Sequence, residues 1–190
     1  MRKRTCDPSV EISGQTLMAY FDNAKSNITV PVFAKHGIPS ADPAKWYPLQ
    51  VVLDVLYEVG TQFDGTSNLV AVGVKIAEYG VLPDDWKTVN LPMVLEGWDH
   101  HLYSSVRNGD VGHIFTEKVN DTFYKVTQQN VFPDDLCYGL AYGFARSRLP
   151  LGTNFKVWYE DYDHRIDRGD ADKTVICVSW ESLALVFRRS

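Results

Sequence analysis

The stretch VGHIFTEKVNDTFYKVTQQ, Val111–Gln129, decides the fold. β-Branched and aromatic residues alternate with polar ones on both sides of Val119-Asn120-Asp121. That is the pattern of two strands joined by a tight connection, and it predicts a hairpin. FPDDLCYGLAYGFARSRLP (Phe132–Pro150) then reads as a helix running from acidic Asp134 and Asp135 to basic Arg146 and Arg148, a polarity that suits the helix dipole. NFKVWYEDYDHRI (Asn154–Ile166) and TVICVSW (Thr174–Trp180) read as two further strands, joined by the polar turn DRGDAD (Asp167–Asp172). The order β-β-α-β-β implies a four-stranded antiparallel sheet.

Upstream the period changes to that of helices. GQTLMAYFDNAKS places Leu17, Met18, Tyr20, Phe21 and Ala24 at helical spacing. ITVPVFAKHGIPSADPAKW is a broken stretch, with Gly37 and its prolines ending whatever begins there. In YPLQVVLDVLYEVGTQF, Pro48 suits a first turn, and Leu49, Val52, Leu53, Leu56, Val59 and Phe63 form one apolar stripe. SNLVAVGVKIAEYG has Ser67 as an N-cap and Gly80 as a stop. LPMVLEGWDHHLYSSVRNG reads as one helix, capped by Asn90, with Pro92 in its first turn and Asn108-Gly109 closing it. The expected fold is α+β, N-terminal helices followed by the four-stranded antiparallel sheet, in a single domain over residues 1–190.

Composition narrows the function classes. Hydrophobic residues at 45% and charged residues at 23% are an ordinary globular mix, and aromatics reach 13%. A net charge of -5 argues against a nucleic-acid grip. No apolar run approaches the roughly 20 residues of a membrane helix. MRKRTCDPSVEIS is basic without an apolar core, so it does not read as a secretory signal. Cys6, Cys137 and Cys177 are scattered, without a CxxC pair, which suits a reducing cytoplasm.

Of the five histidines, His100 and His101 stand side by side. Each helical residue turns about 100°. With Leu91 at zero, Val94, Leu95, Trp98, Leu102, Ser105 and Val106 fall within about 60° of it. His101 then lies at about 280°, on the shoulder of this stripe, and His100 at about 180°, toward solvent. His101 is either a half-buried histidine bonded to a neighbour or a haem ligand, since a neutral imidazole on an apolar helix face is how a proximal ligand is presented. Zinc is not favoured, because position i+4 is Ser105 and Asp99 points elsewhere.

The order of helices followed by β-β-α-β-β resembles the haem nitric oxide/oxygen-binding (H-NOX) domain. It also resembles that domain's relatives, the 4-vinyl reductase-type ligand sensors and the TRAPP trafficking subunits. The most specific local match is LEGWDHHLYSSVRNG (Leu95–Gly109): the family's proximal histidine sits mid-helix in a similar context, and His101, followed by Leu102, falls on it. YGLAYGFARSRLPLGTNFKVWYED (Tyr138–Asp161) and RGDADKTVICVSW (Arg168–Trp180) resemble the segments that close the fold, so the likeness spans roughly residues 10 to 180.

That resemblance implies a haem-binding sensor that answers a gas or redox signal. His101 would be the iron ligand, Trp98 and Leu102 would sit beside the haem, and a signalling partner or homodimer would read the response. The family also clamps the haem propionates with Tyr-x-Ser-x-Arg. Here YKVTQ keeps Tyr124 but puts Val126 for the serine and Gln128 for the arginine, which leaves Arg146 or Arg148 of the next helix as the cation to replace it. The relatives imply two other roles: a haem-free pocket for an aromatic or lipid-like ligand, and an interaction module acting through a dimer surface. A haem enzyme stays open as well, because an open iron position can activate oxygen.

Three lesser features have bland readings beside the sharp ones. Trp46, Tyr47, Trp158 and Tyr159 are either core packing or the lining of a pocket for a flat ligand. YEDYDHRIDRGDAD lacks calcium-loop spacing and reads as a solvated turn. The acidic pairs of PDDW (83–86) and PDDL (133–136) read as helix starts, and the glycines form no phosphate-binding loop.

Overall fold

The computed structural model describes residues 1–22, 26–62, 64–79, 89–169 and 171–182. Ala24, Phe63, Gly80, the PDDW pair, Asp170 and most of the C-terminal tail lie outside the described residues.

The hairpin of the opening stretch is present. Strand β4 (Gly112–Asn120) pairs antiparallel with β5 (Phe123–Asn130), Ile114 opposite Gln128 and Thr116 opposite Val126. Strand β4 runs on through Asn120 and β5 begins only at Phe123, so the turn falls on Asp121 and Thr122, with a bulge between Lys118 and Asn120. Beyond the helix, β6 (Phe155–Tyr159) pairs with β7 (Thr174–Trp180), and β7 pairs with β5. The sheet order is β4-β5-β7-β6, antiparallel throughout. Period-2 alternation buries one face: Ile114, Tyr124, Val126, Val157, Ile176 and Val178 are all interior.

Upstream stand α1 (Gly14–Phe21), α2 (Ser26–Lys35), α3 (Leu49–Thr61), α4 (Gly65–Tyr79), α5 (Leu91–Glu96) and α6 (Trp98–Ser105). Helix α7 (Asp134–Arg148) lies between the sheet and α4. The expected proline break is overridden, since α2 runs straight through Pro31. Its buried Phe33 packs against Tyr20 and Phe21, at ring separations of 5.8 and 5.0 Å, and that burial outweighs the lost backbone bond. Helix α4 opens at Gly65, two residues ahead of Ser67.

A second, small sheet escaped the sequence pattern because its strands are two or three residues long. Strand β1 (Glu11–Ser13) pairs with β2 (Trp46–Pro48) on one side and β3 (Val106–Arg107) on the other. It ties the N-terminal segment to the start of α3 and the end of α6. Trp46 belongs to this sheet and carries the Arg107 guanidinium 4.4 Å above its ring. The Tyr47 hydroxyl accepts the Asp42 N–H at 2.7 Å.

The acidic start of α7 does more than face a helix dipole. Asp134 and Asp135 are buried, and so are Arg4, Arg165 and Asp167. Arg4 bridges Asp134 at 3.1 Å and Asp167 at 3.0 Å, while the two aspartates accept each other's backbone N–H at 2.8 and 2.7 Å. Arg165 pairs with Asp135 at 2.8 Å. The expected strand through Ile166 therefore stops at Tyr159, and part of the expected solvated turn folds inward to meet α7. Burial and the neighbouring Asp167 push the Asp134 carboxyl above its ordinary range.

Helices α4 and α7 touch backbone to backbone. A β-carbon on Gly73 would run into the Leu136 carbonyl, and one on Gly139 into the Val70 carbonyl. One on Gly143 would fall 2.8 Å from the Val74 carbonyl. Because these obstacles are main chain, no side-chain rotation can make room. Gly139→Ala should therefore cost about 1–3 kcal/mol by overpacking, although alanine is the better helix former. Urea denaturation measures this, and an unchanged or raised stability would show that the helices are not held this close.

Candidate functional site

The helix carrying the paired histidines is two helices. It breaks at Gly97, where φ is -88° and ψ is 1°, and α6 starts at Trp98. The sheet explains the break. The Thr116 hydroxyl of β4 donates to the Leu95 carbonyl at 2.7 Å, a carbonyl that a straight helix would use internally. Two more bonds hold the junction: the Asp99 carboxylate accepts the Ile114 N–H at 2.7 Å, and the Tyr124 hydroxyl donates to Glu96 at 3.2 Å. Helix α6 also ends early, at Ser105, giving way to β3 and a left-handed Asn108 at φ 66°.

The two histidines separate as their helix angles require. His100 is exposed, whereas His101 is half-buried and turned toward α7. His101 lines a cavity of about 60 Å³ enclosed by α1, α4, α6, α7, β1 and β4. The walls are mainly apolar, with Ile12, Ile76, Trp98, Leu102, Ile114 and Leu136 prominent. Tyr20, Asn130 and Cys137 line it as well. No lysine, arginine or carboxylate lines it among the described residues. Trp98 closes one side edge-on to Phe144, at 5.2 Å and 87°. Burial, with a smaller contribution from His100, holds the His101 imidazole below its ordinary value of 6.5. It is therefore neutral near pH 7, the form that can ligate a metal. Burial likewise pushes the Cys137 thiol up, so it stays protonated.

Three of the five residues singled out for a cofactor, His101, Trp98 and Leu102, share this cavity. The structure does not bring the other two to it. Tyr124 stacks on Trp180 at 5.7 Å and spends its hydroxyl on Glu96. Arg146 is on the surface, 3.5 Å from Glu78. Val126 and Gln128 are buried on the same sheet face as Tyr124. The Gln128 carbonyl accepts from Asn130 at 2.6 Å, and its amide nitrogen is a buried donor with no acceptor among the described residues. Sequence reasoning missed Tyr20, Asn130 and Cys137. The spacing of Leu136, Cys137 and Leu140, three cavity residues on one face of α7, was the available signal.

These residues fit haem in part. A neutral imidazole and apolar walls suit an iron and the faces of a porphyrin. The enclosed 60 Å³ is room for about two waters, so a macrocycle requires α6 to part from α7. At the clamp positions the donors are the neutral Tyr124 and Gln128, and of these two the Gln128 amide has no acceptor among the described residues. Among the described residues no cluster of three or more histidine, cysteine or acidic side chains could hold a metal by itself.

No protein-family model matches the sequence. No curated protein matches it either. Solved structures do match. An H-NOX protein from S. oneidensis in the Fe(II)NO ligation state aligns over 90% of this chain and 100% of its own, at 14% identity and a TM-score of 0.64. A mutant H-NOX from T. Tengcongensis aligns over 89% and 95%, at 11% identity and 0.59. An oxygen binding H-NOX domain related to soluble guanylate cyclases, in its oxygen complex, aligns over 89% and 93%, at 12% identity and 0.59. At such identities the likeness shows the fold alone, and the chain has an H-NOX-like fold. No helix among the described residues is long and apolar enough to cross a membrane.

The lowered affinity of buried His101 for a proton fixes the sign of a pH effect. The unfolded chain takes up that proton before the folded one, so this stabilisation is complete above pH 6.5 and lost as pH falls through it. The loss levels off below the folded value. His101→Gln should flatten this part of the profile when thermal midpoints are measured from about pH 7.5 down to about pH 5. Parallel profiles for the two proteins would contradict the burial argument.

Proposed function

We propose that this domain is a haem-binding sensor in which His101 is the axial ligand. The observation that carries the reading is a neutral imidazole lining an apolar cavity, within an H-NOX-like fold. Trp98 and Leu102 would flank the macrocycle, and the free amide of Gln128 would meet a carboxylate in place of the cationic clamp. What haem supplies when bound is an open coordination position for a diatomic gas.

The chain's own residues do the rest. Burial keeps His101 deprotonated, and the apolar walls exclude water. Helix α6 transmits its position through a bond already in place, because its Asp99 is tied to Ile114 of β4, beside the Thr116 bond to the Leu95 carbonyl at the end of α5. A shift of α6 therefore moves the edge of the sheet, the surface open to a signalling partner or a second copy.

A second reading is favoured by two observations, the small size of the cavity and the carboxylate of Glu96 on Tyr124. On it, the pocket takes a small apolar ligand without haem, as in sensors of the 4-vinyl reductase type. Glu96 would then repel the propionates that a clamp tyrosine attracts.

Titration with hemin separates the two. The haem reading expects a saturable Soret band that His101→Ala abolishes or shifts, and that His100→Ala leaves unchanged. No Soret band, or one indifferent to His101→Ala, would overturn it in favour of the haem-free pocket.

A further inference from the structure

On the far side of α7 lies a second cavity, of about 370 Å³, within the range of small-molecule sites. Thr66 of α4, Asp135 and Tyr138 of α7, Trp158 and Tyr159 of β6, and Tyr162 beyond it line this space. The walls are aromatic. Tyr138 and Tyr159 stand 5.1 Å apart and Tyr159 and Tyr162 5.9 Å apart, between ring centroids. Tyr162 is 51% exposed and leaves aromatic surface at the mouth, whereas the Trp158 ring turns to the other face of the sheet and stacks on Phe123 at 5.7 Å.

One polar group in the lining is incompletely used. Asp135 is 8% exposed, and its Oδ1 accepts both the Tyr159 hydroxyl and Arg165 Nη1, each at 2.8 Å. The described residues give Oδ2 no hydrogen bond. This oxygen is open to water at the pocket wall, since the Asp135 side chain is 11% exposed, and a ligand N–H or O–H would take the place of that water.

The surroundings also select against a cation. The Arg165 guanidinium already neutralises Asp135, and it lies 4.2 Å from the Tyr159 centroid and 4.5 Å from that of Tyr162. The place where an ammonium ligand would sit on these rings is taken. What remains is an apolar wall of Tyr138, Val70 and Val157 with one acceptor.

We propose that this pocket is a second binding site, for a neutral planar aromatic molecule carrying one N–H or O–H donor, of the indole or phenol class. The ring would pack against Tyr138, Val70 and Val157, beside the edge of Tyr162, whose ring carries Arg165 and Arg168 at 4.5 and 4.8 Å, and its donor would bond Asp135 Oδ2. The proposal is independent of the haem reading. Helix α7 turns Leu136, Cys137 and Leu140 toward His101 and turns Asp135 and Tyr138 here.

Amide chemical-shift titration of the full chain with indole tests the site. Saturable shifts at Thr66, Tyr138 and Trp158 are expected, with N-methylindole, which has the ring but no donor, about tenfold weaker. Phenethylammonium should be weaker still. Thr66→Trp, at an exposed rim position, should abolish indole binding while leaving the thermal midpoint unchanged. Absence of saturable shifts up to the solubility of indole, or shifts that survive Thr66→Trp, would overturn the site. Equal binding of indole and N-methylindole, or tighter binding of phenethylammonium, would overturn the assigned ligand class.

Discussion

The tightest constraint in this molecule is the backbone contact between α4 and α7. Gly73, Gly139 and Gly143 remove their side chains from the crossing, so each helix meets the main chain of the other. That fixes α7 as a wall shared by two cavities. One of its faces closes over His101, and another supplies Asp135 and Tyr138 to the aromatic pocket. The N-terminus of α7 is pinned just as firmly, since Arg4 and Arg165 bind its first two residues in the interior. A helix held at its end and along its length cannot yield, so movement is left to α6.

Helix α6 is built differently. It begins at a glycine break and is eight residues long, held to the sheet by Asp99, while Leu95 and Glu96 at the end of α5 make two more bonds across that break. The region around His101 thus joins an unyielding wall to a short element with a hinge. Such an arrangement lets a ligand change the pocket without disturbing the core. The Gly97 break and the bonds to β4 also make α6 report to the edge of the sheet, whatever enters the cavity.

The larger part of this fold was legible in the sequence, for a physical reason. The hairpin, α7 and the last two strands carry long periodic patterns, and the four-stranded sheet followed from them. The small sheet was not legible, because Glu11–Ser13, Trp46–Pro48 and Val106–Arg107 are too short to show a period. Pro31 misled because burial of Phe33 outweighs a single backbone bond. Gly97 carried a signal that helix periodicity overrode.

At the site, angle arithmetic separated His101 from His100, since it needs local geometry alone. The placements of Tyr124 and Arg146 needed tertiary partners, Glu96 and Glu78, that no spacing announces. Arg4 is the plainest case, a residue of a basic N-terminal run that proves to be buried between aspartates 130 and 163 positions away. The central claim is that ligand enters between α6 and α7 beside His101. Hydrogen exchange mapped with and without hemin tests it most directly. The account predicts altered protection in Trp98–Ser105 and at the Ile114 amide, with α7 unchanged. Changes confined to the surroundings of the exposed histidines His100, His113 and His164 would contradict it, because hemin would then be bound at the surface.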